Sequence, residues 1–219
     1  MNSFCVIGLG QFGQTVASTL AEAGKQVMII DSDADKVTAL ADVVTNAVIG
    51  DPTNESVLRA SGISDYECAI VCMASNINDN ILLTILLKDL GIGRIVVRAI
   101  NEGHKKVIQR LGADMIVFPE QDMGERLANM LSMNNVTEFI DFSGYQLVQI
   151  RVPEAWVEKT LLDLDVRKKY GVNIIAVCDE NGENADVSPA PTRTFKKGER
   201  ISIIAAENDM ERLMKKING

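Results

Sequence analysis

The chain has 219 residues, 47% of them hydrophobic and 24% charged, with a net charge of −8. That is an ordinary balance for a globular protein of one large or two small domains with a real core. The negative charge argues against nucleic acid or an anionic membrane surface as a general partner, because neither attracts an acidic protein. No apolar run approaches the ~18 residues of a membrane-crossing helix, and the N-terminus has neither a basic leader nor a signal-type apolar segment.

Residues 1–31 organise the rest of the chain. An apolar run at 4–7 predicts a strand. It leads into Gly8-Leu9-Gly10-Gln11-Phe12-Gly13, a G-x-G-x-x-G turn, and then a helical pattern over 11–23 that Gly24 stops. A second strand at 26–30 ends at Asp31. In this setting each glycine has its own physical role. Gly8 permits the tight turn, Gly10 lets backbone approach a pyrophosphate, and Gly13 lets helix pack on sheet. Unpaired N–H groups and the dipole at the helix N-terminus favour phosphate. Asp31 stands where such folds hold a ribose by its hydroxyls.

Helices at 35–42, 54–60, 77–90, 103–111 and 121–133 then alternate with strands at 47–49, 69–73, 94–99 and 115–118. This is the pattern of an α/β, Rossmann-like, doubly wound parallel sheet. Ser75 and Asn76 can cap the 77–90 helix, and Pro119 can start the last one. Met123, Leu127, Met130 and Leu131 share a stripe on that helix, fit either for a core or for a partner surface. After residue 134 the pattern changes. Runs 136–142 and 146–152 alternate around Ser143-Gly144, a hairpin signature. A helix at 160–170, strands at 172–178 and 200–206, a rigid Ser188-Pro189-Ala190-Pro191 link and a helix at 208–217 complete a small α+β domain. The expected division is therefore 1–134 and 135–219.

The four cysteines, Cys5, Cys68, Cys72 and Cys178, have no metal-site spacing and read as small buried hydrophobes. The single histidine, His104, lies in a charged segment, 102–106, with no paired acid or thiol motif. Two functions share the glycine loop and Asp31: a nucleotide-binding module, or an NAD-dependent oxidoreductase. A dehydrogenase also needs proton-donating and substrate-orienting groups. The C-terminal 85 residues contain no histidine and no evident catalytic pair, which favours the module over an enzyme.

With both halves in view, the chain resembles the regulatory subunits of the Trk and Ktr potassium-uptake systems, which pair an RCK-N with an RCK-C domain. The matching stretches are CVIGLGQFG, MIIDSDADKV, Ser75-Asn76 with ILLTILLKDLG, VVRAIN, KVIQRLGADMIVFPEQDMGERLA, LLDLDVRKKYGVNIIAV and SPAPTRTFKKGERI. The resemblance covers nearly the whole chain and is closest to the Ktr subunit. It implies a cytoplasmic, non-catalytic gating subunit at the inner face of the cell membrane. Such subunits form homodimers that assemble into a ring, an octamer, beneath an integral membrane potassium-translocating subunit. A related reading is an RCK module of another cation channel or antiporter.

The resemblance also implies ligands and the residues that hold them. The first domain binds ATP or ADP in Ktr-like members and NAD(H) in Trk-like ones. The implied contacts are Gly8, Gly10, Gln11, Phe12 and Gly13 in the loop, then Asp31, Ser32 and Asp33. Asp51 and Thr53 follow strand 3, Ala74 and Ser75 follow strand 4, and Arg98 ends strand 5. Glu120 matches an acid that helps bind a divalent cation, Mg or Ca, at the nucleotide site. Position 11 is Gln where Ktr-like proteins often carry Arg to meet the terminal phosphate. An uncharged donor makes the weaker contact, which lowers preference for ATP over ADP, AMP or NAD. In the second domain, Arg167, Asn173, Ile174 and Pro191 lie in stretches like those that form a cyclic di-AMP pocket at a dimer interface.

Overall fold

The computed structural model describes residues 1–73, 76–133, 135–142 and 144–218. The chain divides into two compact units, Met1–Pro119 and Glu120–Gly219. The division falls at the first residues of the helix that the sequence pattern assigns to the N-terminal domain.

The first unit runs β1 (Ser3–Ile7), α1 (Gln11–Glu22), β2 (Gln26–Asp31), α2 (Ala34–Leu40), β3 (Asn46–Ile49), α3 (Glu55–Ser61), β4 (Cys68–Val71), α4 (Ile77–Asp89), β5 (Arg94–Arg98), α5 (Glu102–Arg110) and β6 (Met115–Val117). The strands pair in parallel in the order β3-β2-β1-β4-β5-β6. Strand order reverses between β1 and β4, and in such sheets the ligand crevice opens beyond the carboxyl ends of the strands at that point. Side chains of the central strands alternate between two cores. Cys5, Ile7, Met28, Ile30, Ala69 and Val71 pack with Leu83 and Leu87 of α4. Val6, Val27, Ile29 and Ile70 pack with Ala17 of α1 and Val37 of α2. Each such fully buried aliphatic side chain stabilises the sheet by roughly 1.5–3 kcal/mol relative to exposure. Burial on both faces is why these strands read as continuous apolar runs.

The second unit contains α6 (Pro119–Ser132, beginning at the division), β7 (Val136–Phe142), β8 (Tyr145–Arg151), α7 (Leu161–Leu164), α8 (Val166–Tyr170), β9 (Asn173–Cys178), β10 (Arg200–Ala206) and α9 (Glu207–Asn218). Its strands form an antiparallel sheet in the order β7-β8-β10-β9. One face carries Val148, Ile150, Ile201 and Ile203 against Trp156, Phe195, Met210 and Leu213.

Two expectations change here. The helix expected over 160–170 is two short helices, α7 and α8, broken at Asp165, whose φ of 44° is left-handed. A reciprocal capping box between Thr160 and Asp163 sets the start of α7. The stripe on α6 also splits. Met130 packs on the core of the second unit, while Met123, Leu127 and Leu131, spaced four apart, are exposed.

Candidate functional site

The three loop glycines differ in what a side chain would meet. Gly8 has φ +92°, and a Cβ there would stand 2.8 Å from Met73 Cγ and 2.9 Å from the Met73 backbone N. A Cβ on Gly13 would stand 2.0 Å from the Gly8 carbonyl oxygen. The fold itself requires both. Gly10 is different, because among the described residues a Cβ on it meets nothing within 4 Å. The packing of the described residues gives no reason for that glycine.

Gly10 is also the N-cap of α1, and no side chain caps the helix. By helix geometry the N–H groups of Gln11, Phe12 and Gly13 have no intrahelical acceptor. α2, α3, α4 and α5 are instead capped by the side chains of Asp33, Asn54, Asn76 and Asn101. The first turn of α1 carries no acid of its own. Such a terminus is suited to a phosphate.

Asp31 ends β2 beside this turn. Its Oδ2 accepts the Leu9 N–H at 2.5 Å and its Oδ1 accepts the Asp33 N–H at 2.9 Å. The carboxylate thus fixes the loop's backbone, and each oxygen keeps a further lone pair for a ribose hydroxyl. Asp33 is otherwise committed. It caps α2 through the Asp35 and Lys36 N–H groups and pairs with Lys36 Nζ at 3.0 Å. The Lys36 hydrogen bond holds its carboxyl below the usual range. Ser32, between the two, is exposed.

Arg98, at the end of β5, brings its guanidinium over the Phe12 ring, with Cζ 5.6 Å from the centroid. Two residues expected at the site from distant stretches therefore meet in a cation–π contact. Gln11 is exposed at the first position of α1. Asp51 is exposed and closes its own turn, accepting the Thr53 N–H at 2.9 Å and the Thr53 hydroxyl at 2.7 Å. The hydroxyl bond lowers its pKa. Ala74 and Ser75 lie outside the described residues. Glu120 lies in the first turn of α6, in the second unit.

Two polar residues emerge that sequence reasoning did not place. Asn80 of α4 is fully buried, and its Nδ2 donates to the Met73 carbonyl at 2.9 Å and the Arg98 carbonyl at 3.3 Å. Its signal is an asparagine directly before the apolar run 81–87. His104, in the charged segment 102–106, is buried. Its Nδ1 accepts the Ile100 N–H at 3.3 Å, and burial holds its pKa below the ordinary value. The cysteines are free and buried, and burial pushes the Cys72 thiol up to about 12.

In the second unit, Arg167, Asn173, Ile174 and Pro191 line one pocket of about 440 Å³, together with Leu162 and Asp165. Arg167 lines this pocket from α8, just after the left-handed Asp165. The Leu162 N–H donates to the Pro191 carbonyl at 3.1 Å and ties the wall together. Among the described residues, no group of three or more His, Cys, Asp or Glu is arranged to hold a metal ion.

Comparison with known proteins matches residues 4–119 to the TrkA-N domain and residues 147–218 to the TrkA-C domain. The chain is 41% identical over 215 residues to the Ktr system potassium uptake protein C of Bacillus subtilis, covering 98% of this chain and 96% of that protein. Its structure is similar to the GsuK RCK domain, with a TM-score of 0.70 at 16% identity, across 100% of this chain and 48% of that one. The chain thus spans about half of that solved chain. A structure of GsuK bound to ADP aligns over 58% of this chain and 33% of its own, with a TM-score of 0.51 at 29% identity.

Proposed function

The chain belongs to the Ktr and Trk family of potassium-uptake proteins with paired TrkA-N and TrkA-C domains, and from that premise we propose that it is a regulatory subunit that senses a nucleotide. The observation that carries this is Gly10. Among the described residues nothing stands within 4 Å of a Cβ placed there, at a helix N-terminus that no side chain caps. Asp31 and Arg98 flank the same loop. A pyrophosphate lies along the loop, Asp31 accepts from the ribose, and Arg98 supplies positive charge. Asp31 disfavours a 2′-phosphate. The uncharged Gln11 makes ADP, AMP or NAD(H) better ligands than ATP. The ADP-bound GsuK structure supports an adenine nucleotide.

No helix among the described residues is long and apolar enough to cross a membrane. In this reading the protein acts on a separate membrane subunit that carries potassium. The exposed Met123, Leu127 and Leu131 stripe on α6 supports a second subunit as partner, as in a homodimer that builds a ring. Nucleotide exchange then changes the balance between ring shapes by its difference in affinity for them. In the second domain, an arginine with apolar neighbours in one pocket supports cyclic di-AMP as a second ligand, half of it held by each of two subunits. A part for Glu120 in holding Mg or Ca rests on the resemblance alone.

The test is calorimetry and thermal melting of the whole protein with ATP, ADP, AMP, NAD, NADH and cyclic di-AMP. Micromolar binding of one of the first five, lost in Asp31→Ala, is expected. Turnover of NAD with a metabolite, or no binding by any of them, overturns the reading.

A further inference from the structure

Asn80 lies one turn into α4 and is fully buried against the sheet. Its amide spans the ends of two strands, donating to the carbonyls of Met73 and Arg98. Both acceptors bear on the glycine loop. Met73 is the residue against which Gly8 is packed, with the Met73 backbone N only 2.9 Å from where a Gly8 Cβ would be. Arg98 is the residue whose guanidinium lies over Phe12. One carboxamide therefore fixes the backing of the turn and the root of the cation beside it.

The other end of that amide is costly. Asn80 Oδ1 is buried and has no hydrogen-bond partner among the described residues. An unsatisfied buried acceptor destabilises the fold. The neighbouring buried polar group does not share this cost, because Thr84 Oγ1 donates to the Asn80 carbonyl at 2.8 Å. The side chain at position 80 needs two N–H donors on one short stem, and only the asparagine amide supplies them. An aspartate is acceptor-only when ionised and offers one O–H when protonated, and a serine offers one donor on a shorter stem.

We propose that Asn80 is a positioning residue of the nucleotide site, holding Met73 and Arg98 in register so that loop and guanidinium face the ligand together. It does not itself touch the ligand. The inference rests on the nucleotide-sensing reading above, with Arg98 as a ligand contact.

A double-mutant cycle on the whole protein tests it, with ADP and NAD titrated by calorimetry and each variant's melting curve recorded. Arg98→Ala in the wild-type background is expected to weaken binding of the preferred nucleotide about tenfold. In the Asn80→Ser or Asn80→Asp background the same change is expected to cost less than about twofold, because Arg98 is already displaced. Equal losses in both backgrounds overturn the proposal, since a purely structural asparagine leaves the two effects independent. Loss of cooperative folding in both Asn80 variants also overturns it, by assigning the residue to stability. If the wild type binds none of ATP, ADP, AMP, NAD and NADH, the nucleotide-sensing reading fails and the inference falls with it; if it binds one of the others instead, the cycle is run with that nucleotide. Binding with additive effects removes the inference alone.

Discussion

Gly10 and Gly13 separate what the fold needs from what the proposed ligand needs. A methyl at Gly13 would collide with the Gly8 carbonyl, a backbone atom that cannot move aside cheaply. Gly13→Ala is therefore expected to destabilise the protein by about 2–3 kcal/mol, read as a lowered melting temperature. Gly10→Ala meets nothing, and φ −68° at Gly10 suits any residue. It is expected to melt like wild type and to lose nucleotide affinity at least about tenfold by calorimetry, because the methyl occupies the approach to α1. An unchanged affinity would remove the loop as the phosphate site. Asp31→Ala should show both effects at once. It removes a carboxylate that accepts the Leu9 N–H as well as the proposed ribose contact. A bond to a charged acceptor contributes about 1.5–3 kcal/mol.

The second unit shows how much a short element depends on its ends. α7 is four residues long and has too few internal hydrogen bonds to hold itself. Its capping box supplies the missing bonds, with the Thr160 and Asp163 side chains each taking the other's N–H. Thr160→Ala is expected to cost about 1 kcal/mol in chemical denaturation. It should also loosen the wall of the pocket that holds Arg167. Arg167→Ala itself is expected to reduce cyclic di-AMP binding without changing the affinity for ADP or NAD. If the wild type shows no cyclic di-AMP binding, that ligand is removed.

Element by element, the parallel half was plain in the chain because strands buried on both faces and glycine-stopped helices leave strong periodic marks. The glycine loop and Asp31 were plain for the same reason, since their spacing is local. What the sequence left open was non-local. Nothing in the spacing shows that Arg98 reaches Phe12, or that Asn80 bridges two strand ends. Helical periodicity over 160–170 also carries no mark of the left-handed residue at Asp165. Asp33 read as a ribose neighbour, but its local hydrogen bonds to Asp35 and Lys36 make it first a helix cap.

For the molecule as a whole, pH separates the groups. The Asp33, Asp51, Asp114, Asp163 and Asp179 carboxyls all lie below their ordinary value. Asp114 is lowered chiefly by the Ile95 N–H that it accepts. Their stabilisation is fully present above about pH 4 and is lost as pH falls through the folded-state values. His104 acts in a different window with the same sign. Its folded-state pKa is below the unfolded value of about 6.5, so the unfolded chain takes up its proton first. Stability is expected to fall already as pH drops below about 6.5. His104→Asn should flatten that part of the curve in denaturant titrations and leave the acid limb below about pH 4 intact. A wild-type curve that is flat between pH 5 and 7 would show that His104 is not held neutral.

The open space beside Gly10 has a genetic consequence. A subunit with alanine there is expected to fold and, if subunits assemble as proposed, to enter rings beside normal copies while blind to the nucleotide. Its allele would then be dominant over wild type in one cell. The Gly13→Ala allele is expected to yield a less stable chain that is depleted before assembly, and so to be recessive. The dominance of two neighbouring alanine alleles would thus report which glycine the fold keeps for itself and whether the other serves the proposed signal.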